Sequence, residues 1–239
     1  PGLTTSDADS ANYVGATVSF TGGFASGQDV LGFTNQNGIS GAYNASTGVL
    51  TLSGISSVAN YQAALQSVTY VNTSDAPSTA NRTVTVTVNE SPSGSASDTR
   101  IITVAAVNDA PLLSGANNLP AIDEDPAVNG GMLVSALVAG QITDIDSGAL
   151  SGVAVTAVDN SNGAWQYSTN GGASWNAFGG PTNASARLLA ADASTYVRFV
   201  PNANWNGTVA AGITFRAWDQ SAGIAGGSAD TTMNGGTSA

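Results

Sequence analysis

Val107-Asn108-Asp109-Ala110-Pro111 sits between two stretches of alternating sequence, and a tight acid pair, Asp144 and Asp146, follows further along the chain. The proline ring disfavours helix at the residue before it, so the step is held extended. Side-chain and main-chain oxygens of Asn108 and Asp109 can then face one ion, and hard oxygen donors gathered in this way suit Ca2+. The pentapeptide therefore reads as a calcium-stiffened hinge between two β domains, residues 1-107 and 108-239.

Outward from the hinge, the alternation on both sides is that of half-buried antiparallel strands. Before it come Ala16-Thr17-Val18-Ser19-Phe20, Val49-Leu50-Thr51-Leu52, Val68-Thr69-Tyr70-Val71, Thr83 to Val88 and Arg100 to Val104. Val58, Tyr61 and Leu65 recur at helical spacing and predict a short helix over Val58 to Leu65. After the hinge come Val153 to Val158, Ala164 to Tyr167, Tyr196 to Val200 and Ile213 to Trp218, with Ser168 to Ser174 as a hairpin turn, because Asn-Gly supplies positive φ angles. Short strands at such intervals predict an all-β fold of two tandem immunoglobulin-like antiparallel sandwiches.

The units also repeat one another: Ser6-Asp7-Ala8-Asp9-Ser10 precedes the first alternating strand as Thr143-Asp144-Ile145-Asp146-Ser147 precedes its counterpart. Aligning the pairs leaves little chain before Asp7, and few apolar residues follow Asp219. Unit one is thus expected to lack its first strand and unit two its last, both ends belonging to a longer tandem array.

Composition removes most chemistries. Across 239 residues there is no cysteine and no histidine, and the five basic residues are all arginines. Disulfides, thiolate metal sites, a histidine base and lysine crosslinking are excluded. A formal charge of −11 argues against nucleic acid or an anionic membrane as partner, since phosphate binding needs clustered cations. No apolar run is long enough to span a bilayer, so membrane insertion is not expected. Asp144 and Asp146 form a tight acidic pair near a further acid, but strand-end acids at a domain junction make a poor cleft for glycoside cleavage, and an enzyme is not expected.

Strand direction decides which acids can meet. For Asp219 to lie beside Asp144 and Asp146, the strand Ile213 to Trp218 must run toward the linker. By the same logic Glu90 joins Asp7 and Asp9 at the far end of unit one, while the loop carrying Asp75 faces the linker. The predicted junction cluster is Asp75, Asn108, Asp109, Asp144, Asp146 and Asp219, all candidate Ca2+ ligands. Like charges near 4 Å repel by about 1 kcal/mol in water and several times more at partly buried sites, so ion binding and domain orientation should be coupled. The opposing reading of each acid is turn capping by its own side chain. It is preferred for Asp159, Asp192 and Asp230, while Asp29 and Asp98 have no partner that the sequence identifies.

Several segments resemble the cadherin-like tandem repeats of large bacterial surface proteins, including RTX-type adhesins, whose repeats meet at a Val-Asn-Asp-Ala-Pro linker. Unit one is similar through Ser6-Asp7-Ala8-Asp9, Tyr70-Val71-Asn72-Thr73-Ser74-Asp75 and Val84 to Val88. Unit two is similar through Glu124-Asp125, Asp144-Ile145-Asp146, Arg198 to Asn202, Asn204-Trp205-Asn206-Gly207 and Phe215 to Asp219. The resemblance implies calcium at an early acid, the Asp-x-Asp pair, an Asp ending a late strand and the linker. Glu124 would be the early acid, serving a site at the far end of unit two. The Asp-x-Glu motif of animal cadherins is not found, and Asp75 is its only substitute.

The expectation is thus a pair of Ca2+-rigidified extender or adhesion repeats of a secreted or surface-anchored bacterial protein. Their partners would be neighbouring repeats and a glycan or protein on another cell. The competing expectation makes unit two a glycan- or peptide-binding head that uses Trp175, Trp205 and the Gly-rich stretch from Ala222 to Ala239.

Overall fold

A computed structural model describes residues 2–8, 10–90, 94–126 and 129–233. The chain is all-β and sandwich-like, with two compact units, Pro1–Val107 and Asn108–Ala239.

Unit one contains β1 (Asn12–Gly22), β2 (Asp29–Gly32), β3 (Ser40–Asn44), β4 (Val49–Ser57), α1 (Val58–Gln66), β5 (Thr69–Asn72), β6 (Arg82–Glu90) and β7 (Ser95–Ile102). One antiparallel sheet runs β3-β4-β1-β6-β7, and β2 pairs with β5 in a second ribbon. On β1, Ala16, Val18 and Phe20 alternate inward, yet Tyr13 is buried too although its parity is wrong. A register shift between Tyr13 and Gly15 absorbs the extra residue and returns Tyr13 to the core face. Leu50 and Leu52 of β4 and Val84 and Val88 of β6 complete that face, and α1 closes it with Tyr61, Ala64 and Leu65. Ser57 caps the helix, its hydroxyl accepting the Asn60 N–H at 3.2 Å. The strand expected over Arg100 to Val104 begins earlier, at Ser95, because polar residues suffice for an edge strand that is exposed along nearly its whole length.

Unit two contains β8 (Leu112–Leu113), β9 (Met132–Leu133), α2 (Val134–Leu137), β10 (Ile142–Thr143), β11 (Gly152–Val158), β12 (Gly163–Ser168), β13 (Asn176–Ala177), β14 (Ala186–Ala190), β15 (Tyr196–Pro201), β16 (Ile213–Trp218) and β17 (Ser228–Ala229). Sheets β16-β11-β14-β17 and β13-β12-β15-β9 enclose a core of Val153, Val155, Leu189, Trp165, Tyr167, Val197 and Phe199.

The alternation of β11 and β14 fails at the surface, since Ala154, Leu188 and Trp218 are buried on the outer face as well. The stretch after Asp219 explains this by folding back over that face. Trp218 Nε1 donates to the Ala222 carbonyl at 2.8 Å, and β17 pairs with β14. That stretch therefore does contain a strand, though one of only two residues.

Candidate cation site

Backbone pairing assembles the linker-end residues of unit two. The ladder between β8 and β10 matches Leu112 with Thr143, so Asn108 and Asp109, just before one strand, meet Asp144 and Asp146, just after the other. Trp218 pairs with Gly152 at the end of β16, which delivers Asp219 to the same place. The Asp109 N–H donates to Asp146 Oδ2 at 2.7 Å. The Asn108 amide donates to Asp219 Oδ2 at 2.7 Å and to the Asp109 carbonyl at 2.9 Å. Five of the six residues expected at the junction thus lie in one loop cluster of unit two. The sixth, Asp75, is on an exposed loop of unit one that follows β5.

Two of these acids also cap their own turns. Asp144 Oδ1 accepts the Asp146 N–H at 2.9 Å, and Asp219 Oδ1 accepts both the N–H and the hydroxyl of Ser221. Asp219 is only 5% exposed, and these described partners are all neutral. Asp144 differs in one respect: its Oδ2 is buried and has no hydrogen-bond partner. Among the described residues no three acidic side chains converge on one point as a metal-binding group. The geometry explains why, since Asp146 and Asp219 are turned onto N–H donors. Occupation by an ion requires some of these hydrogen bonds to be exchanged for metal contacts. The oxygen-only donor set, with one buried oxygen uncommitted, fits Ca2+.

At the other end of unit two, where β16 begins, Glu124 accepts the Asn206 amide at 3.3 Å and Asp125 accepts the Asn204 N–H at 3.2 Å. The early acid is thus at the opposite end of the sandwich from Asp219. In unit one, Asp7 caps its own turn through the Ser10 N–H at 2.9 Å. Tyr13 pairs in register with Glu90. Burial, then the charges of Asp7 and Glu90, push the Tyr13 phenol up, which brings Asp7 and Glu90 to the same end of β1. Asp9 falls outside the described residues.

Asp159, Asp192 and Asp230 each accept a main-chain N–H two residues on, which is turn chemistry. Asp98 pairs with Arg100 on the exposed edge strand. Asp29 is the residue that sequence reasoning missed. It is wholly buried against Arg82, with Nε 3.1 Å from Oδ2, and it also accepts the Ala25 N–H, the Tyr70 hydroxyl and the Asn72 amide, each at 2.7 Å. The available signal was the arginine opening an otherwise apolar alternating strand, since such a charge must be buried with a partner.

The tryptophans do not form the platform expected of a binding head. Trp175 lies under the Arg198 guanidinium, 3.9 Å from its ring centroid, while Trp205 packs edge-on against Phe199. Arg198 and Phe199 are successive residues of β15 and face opposite sides of the sheet, so the two rings are separated by it. The Gly-rich stretch, as far as Met233, belongs to the outer face of the other sheet. A scan against protein-family models, a search of curated proteins and a search of solved structures each return no match for this chain.

Proposed function

We propose that unit two binds Ca2+ through Asn108, Asp109, Asp144, Asp146 and Asp219, and that the chain serves as a pair of Ca2+-stiffened extender or adhesion repeats on a bacterial surface. The observation that carries this is Asp144 Oδ2, a buried carboxylate oxygen with no hydrogen-bond partner, in the loop cluster that also holds Asp109, Asp146 and the buried Asp219, whose described partners are neutral. A buried carboxylate oxygen left without a donor is costly, and a divalent cation removes that cost. Asp75, the Asp7, Asp9 and Glu90 group, and Glu124 with Asp125 are proposed as further ligand sets. The resemblance to cadherin-like adhesin repeats supports the extracellular setting, where millimolar calcium matches the weak affinity of such modules. The function is mechanical: the ion would stiffen the short connection at Val107–Pro111, and catalysis plays no part.

The test is a calorimetric Ca2+ titration of the whole chain beside an Asp144→Ala, Asp146→Ala double variant. Saturable binding near or below millimolar that the variant loses is the expected result. No binding heat and no calcium-dependent rise in melting temperature would reduce the cluster to turn chemistry.

A further inference from the structure

Strand β7 ends the five-stranded sheet of unit one, and every residue from Ser95 to Ile101 is exposed. Which of its main-chain groups face outward follows from the hairpin with β6. The Glu90 N–H donates to the Gly94 carbonyl at 3.1 Å, and the ladder runs on from that pair without a shift, from Asn89 opposite Ser95 to Arg82 opposite Ile102. In an antiparallel ladder, hydrogen-bonded and non-hydrogen-bonded pairs alternate. Ala96, Asp98, Arg100 and Ile102 therefore point their N–H and C=O groups at β6, while Ser97, Thr99 and Ile101 point theirs away from it. Among the described residues no strand lies on that side. Two side-chain hydrogen bonds agree with this assignment. Asp98 Oδ1 accepts the Thr99 N–H at 2.8 Å, and the Arg100 guanidinium donates to the Thr99 carbonyl at 2.7 Å, as groups not engaged with β6 allow.

An open edge of this kind is a template for a further strand, and charge decides which strand fits. Asp98 and Arg100 flank Thr99 symmetrically. When a second β7 runs antiparallel with Thr99 opposite Thr99, each Asp98 lies opposite the Arg100 of the other copy. Ser97, Thr99 and Ile101 then exchange main-chain hydrogen bonds with Ile101, Thr99 and Ser97 of that copy. The charged residues fall in the non-hydrogen-bonded pairs, where Cα atoms approach to about 4.5 Å and side chains are closest. Opposite charges so placed attract, and like charges repel. Sliding the strands by two residues in either direction sets Asp98 on Asp98 or Arg100 on Arg100. One register is thus selected, and it is self-complementary about a two-fold axis, as an isologous dimer requires.

We propose that β7 is a self-association edge, on which two copies of this chain pair antiparallel about Thr99 and join their five-stranded sheets into one. Within a single copy the Asp98–Arg100 pair is more than half exposed and contributes little. Exchanging it for two equivalent pairs across the seam releases the Thr99 N–H and carbonyl to the second strand. The net charge of −11 opposes association, but at physiological salt it is screened beyond about 8 Å. A single strand edge makes a small contact, so the dimer is weak and reversible. No side chain assigned to calcium takes part, and the inference stands apart from that reading.

The test is sedimentation velocity of the whole chain over a concentration series in the presence of chelator, with amide hydrogen exchange followed by nuclear magnetic resonance. The expected result is a dimer that grows with concentration and slows exchange at the Ser97 and Ile101 N–H groups. Asp98→Arg and Arg100→Asp each set two like-charged pairs across the seam and should weaken self-association about tenfold. Mixed in equal amounts, the two variants should associate with each other as the parent chain does with itself, because two basic side chains then meet two acidic ones. That rescue excludes misfolding as the cause of the loss. A chain that stays monomeric at every concentration, a dimer indifferent to both charge reversals, or a mixture without rescue would overturn the proposal. So would tighter association of an Asp98→Ala, Arg100→Ala variant, which would make the ion pair a guard that closes the edge.

Discussion

At Asp29 the chain places a full negative charge inside unit one and surrounds it with donors. Burial alone would push its carboxyl up, but the Ala25 N–H, the Tyr70 hydroxyl, the Asn72 amide and the Arg82 guanidinium outweigh it and hold the group below the usual carboxylate range. The unfolded chain keeps a value of about 3.9, so the folded state binds fewer protons. The resulting stability is complete above roughly pH 4 and is lost as the pH falls through the lower folded value. Urea unfolding followed by far-UV circular dichroism from pH 5 to pH 2 should show this loss, and Asp29→Asn should reduce it. Asp29→Ala, which strands Arg82, should cost about 3–5 kcal/mol; recovery of much of that loss in an Asp29→Leu, Arg82→Met pair would confirm that the stranded charge is the cause. At the candidate cation site, Asn and Ala at position 144 separate the two readings. Asp144→Asn keeps the Oδ1 acceptor for the Asp146 N–H, so the calcium-free stability should change by less than about 0.5 kcal/mol. Asp144→Ala should lose about 1 kcal/mol. Both should lose the calcium response, and a full response in either would remove Asp144 from the site.

At the scale of elements, the strands that alternate cleanly were legible because one face meets the core and the other meets water. β1, β4 and β6 follow that rule, and the period of β1 breaks at the register shift between Tyr13 and Gly15, with a second shift between Phe20 and Gly22 at its end. β14 was not legible, since Arg187-Leu188-Leu189-Ala190 has no alternation once the returning stretch after Trp218 covers its outer face. β2 and β3 were missed for another reason: at four and five residues, carrying Gly32 and Gly41, they hold too few apolar positions to show a period. α1 was legible from three apolar positions, and its boundary is set by Ser57. Ser57→Ala should lower stability by about 1 kcal/mol, read from the denaturant midpoint. Gly54 makes a sharper test of packing within β4. Its φ is +128°, and a Cβ there would lie 2.3 Å from the Gly38 carbonyl oxygen. Gly54→Ala should therefore cost about 1–3 kcal/mol, and an unchanged midpoint would show that the turn before β3 yields.

At the scale of the whole molecule, two separate cores predict separable responses. All four tryptophans, Trp165, Trp175, Trp205 and Trp218, lie in unit two. Tryptophan emission should then be insensitive to the unfolding caused by Asp29→Ala, whereas circular dichroism should register it. A shift in the tryptophan transition of that variant would show that the units are thermodynamically coupled. Calcium should act on the connection and leave the sandwiches intact. Small-angle scattering is expected to give a narrower distribution of molecular dimensions with millimolar calcium than with chelator, with the circular dichroism unchanged. The Asp144→Ala, Asp146→Ala variant should match the chelated state under both conditions. At about 100 times the dissociation constant, calcium should also stabilise unit two by about 2.7 kcal/mol.

The amino-acid order alone determined the all-β class, the helix at Val58 and the position of the division at Val107, because hydrophobic period and turn chemistry are local properties of the chain. It also brought Asn108, Asp109, Asp144, Asp146 and Asp219 to one end of a sandwich, since antiparallel strand direction constrains which loops can meet. Only tertiary structure decided which oxygens were left without donors, that Asp29 and Arg82 share one buried site, and that Trp205 packs against Phe199 while Trp175 lies under Arg198. Those outcomes depend on the register of strands distant in sequence and on what covers each face. A linear pattern does not encode such contacts until the chain has closed on itself.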